Sequence, residues 1–471
     1  MNTQIRDLFY HTFSSEIENI TPIVANGSSR EYFRLSNKDI TCIAAYNKDK
    51  KENLAFIDYA NQLYKKGIRV PKVYAQDLDN DIYLIEDFGD TTLFDMIKLE
   101  QKQELSTDKL DQMYQKVIKA LPKIQIVGGK AFDYTNAYPR RAFDSQSIGW
   151  DLNYFKYYFL KLSGSVFGEQ ELENDFKTLT SFLLQTQTDY FLFRDFQSRN
   201  IMIVNNEPAF IDFQGGRRGA LQYDLASLLY DGKANLSPEN RQRYLNMYIE
   251  ELGKYTNVNK KDFREYYYAY VYVRIMQAMG TYGFRGYFER KEYFLQSIPF
   301  ALKNLQWLED NVSLPIKLPA LHLLFNQMIH SDKLLSISKT KLTVNIRSFS
   351  YKKGYPQDLS GNGGGFVFDC RAIHNPGRYD KYKYMNGMDK EVKDFIEKQP
   401  DTNEFFSHVY LLVKQSVNTY KKRNFTSLMV CFGCTGGRHR SVYFAERLAS
   451  VLSQETDIDI VLKHEEEKNI K

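Results

Sequence analysis

The hydrophobic pattern changes character once along this 471-residue chain, and that change limits the fold more than any single motif does. Up to residue 312 a short run of strand patterns gives way to long stretches of helical periodicity. From residue 338 onward, short apolar runs alternate with helical stretches. The first arrangement calls for an α+β unit and the second for an α/β unit with a mostly parallel sheet. Residues 311–317, with Pro315 and Pro319, form the joint between them. The division expected is a strand-rich lobe 1–86, a helical lobe 87–312, a linker 313–337 and an α/β domain 338–471.

Within the first part, residues 31–35 and 40–46 flank the turn signal Asn37-Lys38-Asp39 and predict a hairpin. Residues 54–67 predict a helix ended by Gly67, and 81–86 a further strand. Short strands at 190–194 and 209–212, with another at 201–204, interrupt the helical region. In the last part, strands are expected at 342–349, 366–370, 428–432 and 458–462, and helices at 391–397, 405–420 and 441–452. The glycine run 361–365 reads as a surface loop.

Composition excludes several classes. No stretch approaches 18 uninterrupted apolar residues, so no bilayer-spanning helix is expected, and the first residues lack a signal-peptide pattern. Four cysteines are too few for a disulfide framework, which points to the cytoplasm. Cys431 and Cys434 have C-x-x-C spacing without a second pair, so they read as small apolar thiols at a strand end. Residues 338–471 carry 22 Lys and Arg against 16 Asp and Glu, so the chain's positive surplus lies there and favours an anionic partner.

The most informative stretch is Phe193-Arg194-Asp195-Phe196-Gln197-Ser198-Arg199-Asn200, followed by Ile211-Asp212-Phe213-Gln214. Phosphoryl transfer requires metal ions on the phosphates, an acceptor for the hydroxyl proton, and close placement of both. Asp195 as proton acceptor, with Asn200 and Asp212 as metal ligands, supplies that set. The spacing follows the kinase catalytic-loop and metal-loop signatures, with Phe193 for the usual His and Gln214 for the usual Gly.

With 223–231 added, these segments resemble the aminoglycoside phosphotransferase / choline kinase family, and within it the AmgK-like kinases of N-acetylmuramate and N-acetylglucosamine. The resemblance spans residues 20–310 and implies a bilobal protein-kinase-like fold, ATP and Mg²⁺ as cofactors, and a sugar hydroxyl as acceptor. It places Gly27, Ser28, Ser29 and Arg30 in the nucleotide loop, Glu86 and Phe88 in the hinge beside the adenine, and 276–282 on a substrate-side helix. Asp224 is expected to hold the catalytic loop in place. The strand lysine that kinases use on the α- and β-phosphates is missing from 41–46, as it is in the AmgK-like kinases. Arg30 or Lys48 is the candidate replacement.

A second constellation runs from strand to helix: Cys434-Thr435-Gly436-Gly437-Arg438-His439-Arg440-Ser441. Glycines let backbone approach a ligand, and free N–H groups at a helix start favour an anion. No Walker-type Gly-Lys-Ser/Thr occurs. Together with 348–354, Phe368-Asp369-Cys370-Arg371, Asn375-Pro376 and 387–389, it resembles the C-terminal domain of the RNase adaptor RapZ. That resemblance implies phosphosugar binding by Thr435, Gly436, Gly437, Arg438, His439, Arg440 and Ser441, with Asp369, Arg371 and Asn375 as neighbours. RNA is the less favoured partner, because the tail around His464 is acid-rich. A phosphorylated amino sugar is the expected ligand of the last domain, and self-association is compatible with the resemblance. The function expected is an ATP-dependent amino-sugar kinase joined to a phosphosugar-sensing domain. Its rival is a non-catalytic nucleotide-binding adaptor that holds RNA or protein.

Overall fold

The computed structural model describes residues 2–23, 30–337, 341–358, 364–422, 425–455 and 457–466. Contacts divide the chain into two units. The first comprises Met1–Lys156, Val166–Met279 and Phe300–Ile329, and the second Tyr157–Ser165, Gly280–Pro299 and His330–Lys471.

The first unit opens with an antiparallel sheet of β1 (Asn19–Ile23), β2 (Glu31–Ser36), β3 (Thr41–Tyr46), β4 (Val73–Asp77) and β5 (Ile82–Glu86), in the order β1-β2-β3-β5-β4. The expected hairpin is β2–β3, in the register Glu31↔Tyr46 to Ser36↔Thr41. Its turn closes on Asn37, whose Oδ1 accepts from the backbone N–H groups of Asp39 (3.0 Å) and Ile40 (2.8 Å), a side chain standing in for a backbone turn. A helix not foreseen in the sequence, Asn2–Phe13, buries Ile5 and Phe9 in one cluster with Leu35, Cys42, Ala44, Ile82 and Leu84. The helix Lys50–Lys65 starts four residues before the expected 54, because Asp49 caps it by accepting from Lys51 N and Glu52 N. Phe56 on this helix packs against Tyr83 (centroids 5.2 Å) and stacks on Phe213 (4.9 Å).

Beyond β5 the unit is mainly helical, as the periodicity required. Four short strands interrupt it: β6 (Tyr190–Leu192), β7 (Ile201–Val204), β8 (Glu207–Phe210) and β9 (Arg217–Gly219). β7 and β8 form a hairpin whose two-residue turn, Asn205-Asn206, has φ of 52° and 62°. Asparagine tolerates that left-handed pair, which matches the twist of the strands. β9, which pairs with β6, was not anticipated: three residues with two arginines show no alternation to read. Within 313–337, expected as a linker, Pro319–Ile329 is a helix that buries Leu321, Leu324, Phe325, Met328 and Ile329. Asp175, itself buried, accepts a hydrogen bond from Leu321 N at 2.9 Å.

In the second unit, β10 (Leu342–Ser350), β11 (Gly365–Asp369), β12 (Ser427–Cys434) and β13 (Ile458–His464) make a wholly parallel sheet, ordered β11-β12-β10-β13. All eight residues of β12 are buried. Val344, Ile346, Leu428, Val430 and Phe432 share one core with Val409, Val413 and Val417 of the helix Asp401–Lys422. Phe444, Leu448 and Leu452 of the helix Arg440–Leu452 join the same core. The alternate residues Met429 and Cys431 join Phe349 and Tyr351 in a second cluster. This period-two split is what a pleated strand buried on both faces produces. Leu448→Ala should cost about 2–5 kcal/mol by leaving a cavity under that helix, read as a lowered denaturation midpoint. A loss under about 1 kcal/mol would contradict the packing described.

Candidate functional site

The β7–β8 hairpin brings the sequence-predicted acidic and amide groups together. Register Ile201↔Phe210 and the bond from Ile211 N to Asn200 O (3.1 Å) set Asn200, just before one strand, opposite Asp212, just after the other. Asn200 Nδ2 donates to Asp195 O at 2.8 Å and to Asp212 Oδ2 at 3.0 Å. Gln214 Nε2 donates to the second Asp212 oxygen at 2.7 Å. Burial, and then the charge of Asp195, push the Asp212 carboxyl above the ordinary carboxylate range. The Asp195 carboxylate is partly exposed and takes no hydrogen bond from any described residue.

The loop carrying Asp195 is held in an uncommon backbone conformation, with φ of 82° at Arg194, and Asp212, after β8, has φ of 68°. Phe193 and Phe196, both fully buried, clamp it from below, with Phe196 stacked on Phe210 at 5.6 Å. Asp224 holds it from the side: its two oxygens accept from Phe193 N (2.8 Å) and Arg194 N (3.0 Å), and Gln125 Nε2 adds a third bond at 3.2 Å. The Arg194 side chain turns away from Asp195 into a two-pronged pair with Asp151, at 2.7 and 2.6 Å, and also meets the Tyr223 hydroxyl.

A polar chain then runs back to the sheet. Gln214 Nε2 reaches Glu52 Oε1 at 3.4 Å, and Arg30, 3% exposed, pairs with the same Glu52 at 3.0 Å and donates to the Tyr32 hydroxyl at 3.0 Å. Lys48 is exposed and has no such pair among the described residues. Of the two candidate cations, Arg30 is the one that meets a helix glutamate. Glu52 was not singled out in the sequence, and Gln214 only as the replacement of the usual glycine; the cap signal at Asp49 would have put Glu52 in the first helical turn. Gly27, Ser28 and Ser29 lie outside the described residues. Glu86 pairs with Arg69 at 2.9 and 2.7 Å. Phe88 is buried with Met202 and Ala209, and Arg69 covers its ring. The Glu86 and Phe88 side chains thus build the segment between sheet and helices.

In the second unit, the loop between β12 and the helix Arg440–Leu452 leaves Thr435 and Gly436 exposed. Gly437 has φ 67°, and a Cβ there would stand 2.5 Å from Glu466 Cγ and 3.0 Å from Ser350 N, so only glycine fits. Ser350 Oγ donates to Thr435 O at 2.9 Å. Three side chains of the loop point at backbone carbonyls. Arg438 donates to Tyr384 O (2.6 Å), His439 Nε2 meets Tyr382 O (3.0 Å), and buried Arg440 donates to Arg371 O (2.9 Å) and Ile373 O (2.7 Å). Burial pulls the His439 imidazole below its ordinary value. Ser441 is buried against Cys434 at 3.1 Å. Arg371 lies over the Tyr351 ring at 4.1 Å and pairs with Asp369, while Asn375 caps its own turn through Gly377 N. His464 sits in a chain from Ser348 Oγ (2.8 Å) to Glu446 (3.1 Å).

Burial raises the Asp224 carboxyl to about 6. The folded chain therefore holds this proton more tightly than the unfolded chain, and the group's contribution to stability falls as pH rises from about 4 to about 6. Asp224→Asn turns one acceptor into a donor facing a backbone N–H, at an expected cost of about 1–3 kcal/mol in chemical denaturation at pH 7. An unchanged midpoint would mean that the loop does not depend on this carboxylate.

Among the described residues, no helix is long and apolar enough to cross a membrane. The profile of the RapZ C-terminal domain matches residues 342–468. A nucleotide-binding protein of Dinoroseobacter shibae is 37% identical over 115 residues, which is 24% of this chain and 37% of that protein. One from Thermotoga neapolitana is 31% identical over 182 residues, 37% of this chain and 63% of that protein. The chain thus spans less than two thirds of the length of these curated relatives. Among solved structures, a microcompartment-associated aminopropanol kinase superposes with a TM-score of 0.46 at 13% identity, covering 66% of this chain and 98% of that one. The profile of the Phosphotransferase enzyme family matches residues 19–257, half of the chain and the half that holds Asp195, Asn200 and Asp212, and the chain belongs to that family.

Proposed function

We propose that the first unit transfers the γ-phosphoryl group of ATP to a hydroxyl of an amino sugar, with the anomeric hydroxyl as the preferred acceptor. The observation that carries this reading is the Asp195 carboxylate, which has no hydrogen-bond donor among the described residues while Asp224, Asp151 and Asn200 hold the loop around it. An incoming hydroxyl supplies the missing donor, and the carboxylate orients it and takes its proton. An anomeric hydroxyl is more acidic than an ordinary alcohol, so the proton can leave late.

Asp212 and the amide oxygen of Asn200 are the residues that would hold Mg²⁺. No group of three or more His, Cys, Asp or Glu side chains forms a metal site among the described residues. One carboxylate and one amide oxygen still fit this ion, which commonly takes one or two carboxylates and completes its shell with phosphate oxygens and water. When bound, it neutralises charge on the phosphates. Arg30, fixed by Glu52, serves the phosphates in place of the absent lysine, and the 86–88 backbone lies at the adenine; Gly27, Ser28 and Ser29 belong to the same nucleotide loop in the sequence reading. The second unit binds a phosphorylated amino sugar at 435–441. Support comes from where that loop lies, at the carboxyl end of a parallel strand, beside the segments that follow β10 and β11. Both halves resemble proteins that handle amino sugars, which supports the substrate class.

The test is phosphate transfer from ATP to N-acetylmuramate, N-acetylglucosamine and glucosamine, with phosphorus NMR locating the new ester. A sugar 1-phosphate is expected with the natural chain, and Asp195→Asn should slow its formation by about 10²–10⁴-fold. No product from any sugar while ATP still binds would overturn the kinase reading in favour of a non-catalytic adaptor. Arg30→Gln should raise the KM for ATP roughly tenfold, whereas an unchanged KM would remove Arg30 from the nucleotide side.

A further inference from the structure

Three arginines, Arg194, Arg217 and Arg274, lie near Asp195, and among the described residues only one of them is paired with a carboxylate. Arg194 is paired with Asp151. Arg274, 4% exposed, donates to the Tyr223 hydroxyl (3.1 Å) and to Gln277 Oε1 (2.6 Å), and its Nε is buried without a partner. Arg217, 6% exposed, donates from Nε to Gly215 O at 3.0 Å, and Nη1 lies 3.5 Å from Ser147 Oγ. Neither Arg217 nor Arg274 has an ion pair with a carboxylate among the described residues. A buried guanidinium normally has one, since burying an unpaired charge is costly.

Arg217 is tied to the glycine that lies beside Asp195. It hydrogen-bonds to Gly215, and a Cβ on Gly215 would be 3.8 Å from Asp195 Oδ2. A glycine there keeps the space beside the carboxylate open. Arg217 also reaches Ser147, one turn before Asp151 on the helix Ser145–Tyr154. Its contacts thus belong to the helical part, whereas Arg30 and Glu52 belong to the sheet side. Burial, and then the like charge of Arg194, lower the Arg217 guanidinium from its ordinary value. A counter-anion would relieve both effects.

Resting on the kinase reading, we propose that Arg217 receives an anionic substituent of the acceptor, a carboxylate or phosphate, so that the enzyme selects an acidic sugar over its neutral counterpart. The same oxyanion chemistry could come from the nucleotide's terminal phosphate. The geometry favours the acceptor, because Arg217 is held from the helical side beside Asp195.

The experiment is calorimetric binding of N-acetylmuramate, which carries a carboxylate, and N-acetylglucosamine, which lacks it, to the full chain saturated with AMP-PNP and Mg²⁺. The natural chain should bind the acid roughly 10- to 100-fold more tightly than the neutral sugar. Arg217→Gln should bring that ratio close to one, and Arg217→Lys, which retains the charge, should keep part of it. Equal binding of the two sugars by the natural chain, or binding of neither, overturns the proposal, whether or not the variants fold. So does a loss in Arg217→Gln that falls on AMP-PNP affinity while the sugar ratio persists, for then the guanidinium serves the nucleotide. Phosphate transfer to both sugars without discrimination would leave the kinase reading intact and remove this one. Discrimination in binding without transfer would do the reverse.

Discussion

The candidate site depends on one buried carboxylate that does no chemistry. Asp224 accepts the backbone N–H groups of Phe193 and Arg194, and with them it holds a non-glycine residue at positive φ immediately before Asp195. Such a conformation persists only when its surroundings over-determine it. Here the surroundings are Asp224 on the main chain, Asp151 on the Arg194 side chain, and Phe193 and Phe196 packed beneath. The result is that Asp195 projects from a fixed loop with its own carboxylate unengaged.

From that fixed point a line of polar contacts passes through Asn200, Asp212, Gln214 and Glu52 to Arg30. It joins the β7–β8 hairpin to the helix Lys50–Lys65 and the first sheet. The missing strand lysine is understandable in this light. On the proposed reading the cation is Arg30, the residue before β2, which meets a glutamate in the first turn of that helix. The second unit follows another principle. Its loop 435–441 uses Arg438, His439 and Arg440 largely to tie neighbouring carbonyls together, which shapes the exposed turn at Thr435 and Gly436.

Much of the framework was legible because it is encoded locally. Asn37 and the Asn205-Asn206 pair carry their turns in their own side chains and φ preferences. The strands and helices of the second unit lie within a few residues of their apolar runs. Other features were invisible for equally physical reasons. The helix Asn2–Phe13 turns only Ile5 and Phe9 fully inward, so its periodicity is faint. The strand β9 exists because β6 pairs with it, and the helix Pro319–Ile329 begins on the second of two prolines that read as a break. In both cases a partner distant in sequence decides the local state.

The sequence by itself determined the two-part architecture, the α+β and α/β characters, and the order of Asp195, Asn200 and Asp212, since these follow from periodicity and short spacings. Only the tertiary structure decided that Glu52 and Gln214 complete the polar line and, among the described residues, that Arg30 rather than Lys48 meets a carboxylate and that Arg217 and Arg274 are buried without one. Charge pairing inside a protein depends on which side chains the fold brings within a few ångströms, and those residues lie up to 162 positions apart along the chain. No local pattern carries that information.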